Sequence, residues 1–387
     1  MSNSKNWWET LSRLIKKDWR VQVAAGLGVV LLLGVFLVPA LTRYRMGPLA
    51  KPGSSRNVAV LGYYENGGPT PEWPSSHPSM LAHHNLMDSL SPFWYTVMAD
   101  GSLKERSPKP DVLEFAHKNG LKVYPLVNND RSGGDNAAAL RSEATRSKAV
   151  ASIVDMVRNS SYDGVHVDFQ LLPTNSRDQF TAFVTELRSK LPRNKQLSVA
   201  VFPKVDIDPS ISGAYDYAAL AKKVEFMVMM AYDRHYEGGT PGAVSPNNWV
   251  EANIKEFLRT GVPANKLVLA VGTYGYDWPE AATGAGVAGG SSPAGTGKVL
   301  PTKLALDLVK AQRANMAGDT TGNPYFRYQD QGQSRVVYFQ DAHMLAARLG
   351  LVRRYKLKGI AIWRLGYEEP AFWSTLEKEL GTAKKTK

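Results

Sequence analysis

The sequence predicts an α/β fold, a (β/α)8 barrel, and three observations point to it. Beyond residue 57, short apolar runs alternate with amphipathic stretches. There are eight such runs, rich in the β-branched and aromatic residues that suit strands. They are spread over about 320 residues, which is the room that eight strand–helix units of a parallel barrel need. The same alternation also admits a doubly wound open sheet.

In order, the strand candidates are residues 58–64, 86–95, 121–127, 164–169, 197–202, 226–232, 267–273 and 359–363. Helical spacing of apolar residues marks 110–119, 142–158, 177–191 and 249–260 between them. The connection from 275 to 356 is too long for one helix. Its first part, 281–298, is rich in Gly, Ala and Ser and reads as a mobile loop. Its later part holds two aromatic and β-branched runs, 325–328 and 335–339, joined by a polar turn. That pattern predicts a hairpin, and hence a small insertion after strand seven that leans over the barrel mouth.

Ahead of the barrel, residues 21–41 are apolar, with Gln22 the one strongly polar side chain. About 20 residues at 1.5 Å each span a bilayer core. The expectation is an uncleaved signal anchor, a single N-terminal transmembrane helix, with a cleaved signal peptide as the competing reading. Residues 1–20 then stay in the cytoplasm and 42–56 form a stalk. The domain at 57–380 lies outside the cell membrane, and 381–387 form a basic tail.

The chain carries a net charge of +12, but its distribution argues against a nucleic-acid partner. Residues 1–56 hold nine Lys or Arg against Glu9 and Asp18, and the tail adds Lys384, Lys385 and Lys387, which leaves only about +2 on the body. There is no cysteine, so no disulfide framework and no thiolate metal site. Gly284, Gly286 and Gly289 match a dinucleotide spacing but lack the strand before and the helix after. Gly297-Lys298 is preceded by Ser292 where a phosphate loop needs glycine, and His83-His84 has no carboxylate at ligand spacing. No cofactor and no metal are expected.

The stretch Asp163-Gly164-Val165-His166-Val167-Asp168-Phe169-Gln170 concentrates polar groups on one strand. Residues 166, 168 and 170 share a face, so all three address the barrel interior and mouth. This run resembles the D-G-x-D-x-D-x-E signature of glycoside hydrolase family 18, the chitinase-like family, in its spore-cortex-lytic, peptidoglycan N-acetylglucosaminidase branch. Further segments resemble that branch: Asn128-Asn129 after strand three, Met229-Met230-Ala231-Tyr232-Asp233 at strand six, His235 with Gly238-Gly239 and Pro241-Gly242, Tyr274 to Trp278, and Trp363 at strand eight. The similarity covers roughly residues 57–380.

The resemblance implies hydrolysis assisted by the substrate's own N-acetyl oxygen. It makes Asp168 the carboxylate that holds the acetamido group, with Tyr232 and Asp233 orienting it. It also places Asp163, His166, Tyr274 and Trp363 at the substrate, Trp363 as the sugar-stacking platform. Two departures matter. His166 stands where Asp or Asn is usual, and Gln170 stands where the family has its acid. An amide cannot serve as a general acid near neutral pH. Gln340 likewise replaces a glutamate. The expectation is therefore a membrane-anchored protein that recognises peptidoglycan or chitin-like N-acetylglucosamine glycans, with impaired catalysis. An active glycosidase using another acid such as Glu237, or a non-catalytic cell-wall scaffold, are the alternatives.

Overall fold

The computed structural model describes residues 57–68, 70–281 and 297–381. The segments expected at 1–20, 21–41 and 42–56, most of the Gly-rich stretch 281–298, and the tail after 381 lie outside the described residues. Among the described residues no helix is long and apolar enough to cross a membrane.

Eight parallel strands close into a barrel: β1 (Ala59–Tyr64), β2 (Ser89–Val97), β3 (Leu126–Asn129), β4 (Gly164–Asp168), β5 (Gln196–Val201), β6 (Phe226–Met229), β7 (Leu267–Gly272) and β8 (Gly359–Trp363). Each pairs with the next, and β8 returns to β1 through Ala59↔Gly359 and its neighbours. Closure excludes the open sheet. Alternate residues of each strand point inward and outward. Outward Val60, Val165, Val167, Val199 and Val201 join the layer beneath the helices. Inward Leu61, Tyr63, Tyr124, Leu126, Phe226, Val228, Val268 and Ala361 fill the barrel itself.

The surrounding helices follow local chemistry. Glu143–Arg158 starts at Ser142, whose Oγ accepts the Thr145 amide at 3.1 Å, and it buries Val150, Ile153, Val154 and Val157 against the sheet. Asn247–Arg259 buries Trp249, Val250, Ile254 and Phe257 on one stripe. Pro110–Lys118 and Arg177–Lys190 lie within two residues of the expected ends.

Two strands differ from their apolar runs for backbone reasons. The run 121–127 splits into Lys122–Val123 and β3 around Pro125, which has no N–H for the ladder. The run 226–232 stops pairing at Met229, because the chain turns there and Asp233 adopts a left-handed φ of 60°.

The connection after β7 is an antiparallel sheet of five strands, in the order Lys298–Pro301, Tyr274–Pro279, Gln333–Phe339, Pro324–Asp330 and Ala317–Gly318. Helix Thr302–Gln312 packs on it, with Ala305, Phe326, Val337 and Phe339 as its own small core. The expected hairpin is the pair Pro324–Asp330 and Gln333–Phe339. Its two-residue turn has φ of 48° at Gln331 and 81° at Gly332, the primed geometry that matches strand twist and favours glycine.

Candidate active site

The site is built at the C-terminal ends of the strands, where a barrel displays its loops. On β4, His166 pairs in register with Leu126 on one side and Ser198 on the other, and Asp168 pairs with Asn128. Both are buried and face inward. Gln170 follows past the strand end, where Asn129 clamps its backbone: the Gln170 N–H donates to Asn129 Oδ1 at 2.9 Å, and Asn129 Nδ2 donates to the Gln170 carbonyl at 3.0 Å. The Tyr215 hydroxyl donates to the Phe169 carbonyl at 2.7 Å and holds the same strand end from the other side.

The clamp points the Gln170 amide at Asp168. Its Nε2 donates to both carboxylate oxygens, each at 2.9 Å, and lies 3.6 Å from Met230 Sδ. Burial pushes the Asp168 carboxyl up to about 6, although the Gln170 hydrogen bond and the charge of Arg131 act in the opposite direction. A carboxyl poised there changes protonation readily, but its neighbour at position 170 has no acidic proton to give.

His166 sits one layer deeper. Its Nε2 is 2.8 Å from the Tyr63 hydroxyl and its Nδ1 is 2.8 Å from Ser198 Oγ. Both ring nitrogens are thus occupied without an acidic partner. Burial alone drives its pKa down to about 3, so the imidazole is neutral. His166 is a packed hydrogen-bonding layer beneath Asp168, and its polar atoms are turned to protein.

Asp233 forms the second acidic position. Its Oδ1 accepts the hydroxyls of Tyr274 at 2.5 Å and Tyr276 at 2.8 Å. Its pKa is raised to about 6, first by burial, with the charge of Glu237 adding to the rise and the two tyrosines opposing it. Tyr232 stands edge-on to Tyr274 with ring centres 5.9 Å apart. Trp363 stands edge-on to Tyr63 at 5.2 Å, and its peptide to Arg364 is cis. Trp363, Tyr232 and Tyr63 belong to the layer that caps the barrel interior.

The structure therefore gathers His166, Asp168, Gln170, Tyr232, Asp233, Tyr274 and Trp363 around one end of the barrel. Asp163 is not with them. It precedes β4 at the opposite end, where its Oδ2 accepts the Val123 N–H at 2.8 Å and lies 3.0 Å from His117 Nε2. It ties strands together, and Gly164 beside it is required because a Cβ there would meet the Gln196 carbonyl at 2.0 Å. Gln340 is buried behind the site, its N–H donating to the Tyr274 carbonyl at 3.1 Å. Sequence reasoning did not single out Tyr63, Ser198 or Tyr276. Tyr276 was within reach, since it follows Tyr274 by two residues and so shares its face. Among the described residues no cluster of three or more His, Asp or Glu could hold a metal ion.

Chemically, the arrangement offers a flat aromatic surface, hydroxyls for hydrogen bonding and two carboxyls with raised pKa at the mouth of a closed barrel. That defines the class of carbohydrate-active (β/α)8 barrels. Within this class the chain belongs to glycosyl hydrolases family 18, whose pattern matches residues 62–368. It is 31% identical over 252 residues to the cortical fragment-lytic enzyme of Bacillus subtilis, covering 64% of this chain and 56% of the length of that relative. It is 25% identical over 315 residues to the uncharacterized glycosylase YvbX of the same species, covering 79% of this chain and 88% of the relative. Among solved structures, the spore cortex-lytic enzyme SleL of Bacillus megaterium superposes with a TM-score of 0.72 at 26% identity, over 86% of this chain and 78% of that one. A chitinase from Chromobacterium violaceum shares the fold with a TM-score of 0.73 at 24% identity, over 84% of this chain and 99% of that one.

Proposed function

We propose that the chain is a membrane-anchored family 18 protein that holds N-acetylglucosamine-containing glycans, peptidoglycan or chitin-like, outside the cell membrane and cleaves them poorly. The observation that carries the reading is the contact between Gln170 and Asp168. The side chain nearest the acetamido-binding carboxylate is an amide donor, 2.9 Å from each of its oxygens. The groups needed to grip the sugar remain: Asp168, Tyr232, Asp233 with its two tyrosines, and Trp363. The substrate class is supported by the names of the relatives, and the anchor by the apolar segment 21–41.

The test compares the wild-type chain with Gln170→Glu on peptidoglycan and on chito-oligosaccharides. Weak or absent cleavage by the wild type, with a large gain in the variant, supports the reading. One observation favours a second reading, in which Glu237 serves as the acid: its charge is felt at Asp233 and Tyr276 and so lies beside the site. Robust wild-type cleavage that disappears in Glu237→Gln would establish that alternative.

A further inference from the structure

The chain just past β1 carries a carboxyl group that the site described above does not use. Glu65 is 6% exposed, yet among the described residues neither of its carboxyl oxygens accepts a hydrogen bond or joins an ion pair. Only its backbone is held. The Glu65 N–H donates to Ser76 Oγ at 2.9 Å, and the Ser76 N–H donates to the Glu65 carbonyl at 3.0 Å. Ser76 Oγ donates in turn to the Leu365 carbonyl at 2.7 Å, just past β8. This clamp fixes Glu65 at the catalytic end of the barrel, between the ends of two neighbouring strands.

The groups around Glu65 belong to the rings of the mouth. It lies two residues beyond Tyr63, whose ring meets those of His166 and Trp363. On one side is Arg364, 4.0 Å over the ring of Tyr367, which packs in one cluster with Tyr232 and Trp363. On the other is Arg106, 4.2 Å over Phe93, which packs with the same two residues in the layer that caps the barrel interior. Neither arginine forms an ion pair with Glu65. The Arg364 guanidinium is engaged by the Pro74 carbonyl at 2.9 Å, and by Ser76 Oγ and the Leu365 carbonyl at 3.3 Å each. Burial raises the Glu65 pKa, and the charges of the two arginines oppose that rise without cancelling it.

A carboxylate withdrawn from water without a hydrogen bond is costly, so such groups are ordinarily paired. A ligand in the mouth can supply the missing donors. Two guanidinium groups within range of the charge oppose a cation there, and the carboxylate itself opposes an anion. Neutral O–H donors suit it. We propose that Glu65 is a further sugar-binding residue of this site, its carboxylate accepting hydrogen bonds from hydroxyl groups of the bound glycan. This assignment rests on the glycan reading of the site. It adds a contact that does not read the N-acetyl group, since N-acetylglucosamine and glucose both carry hydroxyls. As a counter-charge to the buried Arg364, Glu65 would instead serve only the stability of the free protein.

The experiment compares the full chain with Glu65→Gln, both in a non-ionic detergent that carries no sugar. Calorimetric titration uses N-acetylglucosamine oligomers and glucose oligomers of the same length. Glutamine keeps the shape but loses the charge that makes hydrogen bonds to a carboxylate roughly twice as strong as neutral ones. Affinity should fall by about tenfold or more in both series. Denaturant unfolding at pH 8 without sugar is the second measurement. The variant should unfold at the same or a higher denaturant concentration than the wild type, because its fold no longer holds an unpartnered charge. Unchanged affinity in the variant, or weaker binding accompanied by a lower unfolding midpoint, overturns the proposal and leaves the glycan reading standing. Failure of the wild type to bind either series removes both.

Discussion

The Gln170 amide nitrogen lies 2.9 Å from both carboxylate oxygens of Asp168, so one side chain supplies two hydrogen bonds to one acceptor group. Asn129 enforces this pose through two bonds to the Gln170 backbone. The two hydrogen bonds favour the ionised form of Asp168 against the burial that raises its pKa, and the side chain at position 170 carries no acidic proton. Gln170→Glu changes one atom in that arrangement. Two carboxyls then share a site, and mutual repulsion keeps one of them protonated. Turnover on chito-oligosaccharides should rise by about 10²–10⁴-fold, the usual contribution of a positioned acid. Reducing-end release under saturating substrate measures it. An inert Gln170→Glu variant that still folds and binds substrate would show that the defect lies elsewhere in the site.

Asp233 sets a pH dependence whose sign follows from its environment. Unfolded, an aspartate titrates near 3.9; in the fold Asp233 titrates at about 6. Folding therefore favours the protonated form. The benefit is complete below pH ~3.9 and is lost as pH rises through about 6, where the fold must carry a buried carboxylate at a cost of about 1–3 kcal/mol. Asp233→Asn retains an oxygen for Tyr274 and Tyr276, both of which donate to Oδ1, and asparagine tolerates the left-handed φ of 60°. In denaturant unfolding the variant should be the more stable protein at pH 8, and the difference should close at pH 4. A difference that is equal at both pH values would remove burial of charge as the cause.

His166 acts in the other direction. Its pKa in the fold is about 3, against about 6.5 when unfolded. As pH falls below 6.5 the unfolded chain takes up a proton that the folded chain refuses, and stability is lost progressively toward pH 3. Over that window the loss amounts to about 3–5 kcal/mol. His166→Gln can still face Tyr63 and Ser198 with an amide but cannot titrate. It should cost about 1–3 kcal/mol at pH 7.5 through imperfect hydrogen bonds, with that deficit shrinking or reversing by pH 4. Unfolding midpoints for both proteins across this range provide the check.

These two residues also show what the sequence could and could not reveal. Position 166 was legible as inward-facing from the two-residue period of a strand, and so was the cluster with 168 and 170. That His166 contacts Tyr63 and Ser198, and not a sugar, depends on which strands become neighbours across β1, β4 and β5. No local pattern carries that information. Asp163 illustrates the converse. It stands in the same motif as Asp168, yet a strand of five residues places them at opposite ends of the barrel. The barrel itself was visible because its strands are apolar on both faces. The insertion was only partly visible: its hairpin has aromatic and β-branched runs, whereas Tyr274–Pro279 follows β7 after one residue and reads as a continuation of it.

Stacking and acetamido hydrogen bonds act on bound substrate as well as on the transition state, so loss of an acid need not abolish affinity. Trp363 is partly exposed above the barrel interior and braced edge-on by Tyr63 at 5.2 Å, which holds its ring as a platform. In the proposed reading, Asp168 and the Tyr232–Asp233 pair distinguish an N-acetyl substituent from a hydroxyl. N-acetylglucosamine oligomers should therefore bind more tightly than glucose oligomers of the same length. Trp363→Ala should weaken both, by about 0.5–1.5 kcal/mol beyond the lost buried area, because stacking does not read the acetamido group. Asp233→Asn should reduce the preference between the two sugars more than it reduces affinity for glucose oligomers. Calorimetry on the two ligand series with the three proteins separates these effects. Equal affinity for both series, or none for either, would remove glycan recognition and leave a scaffold role as the better account of this barrel.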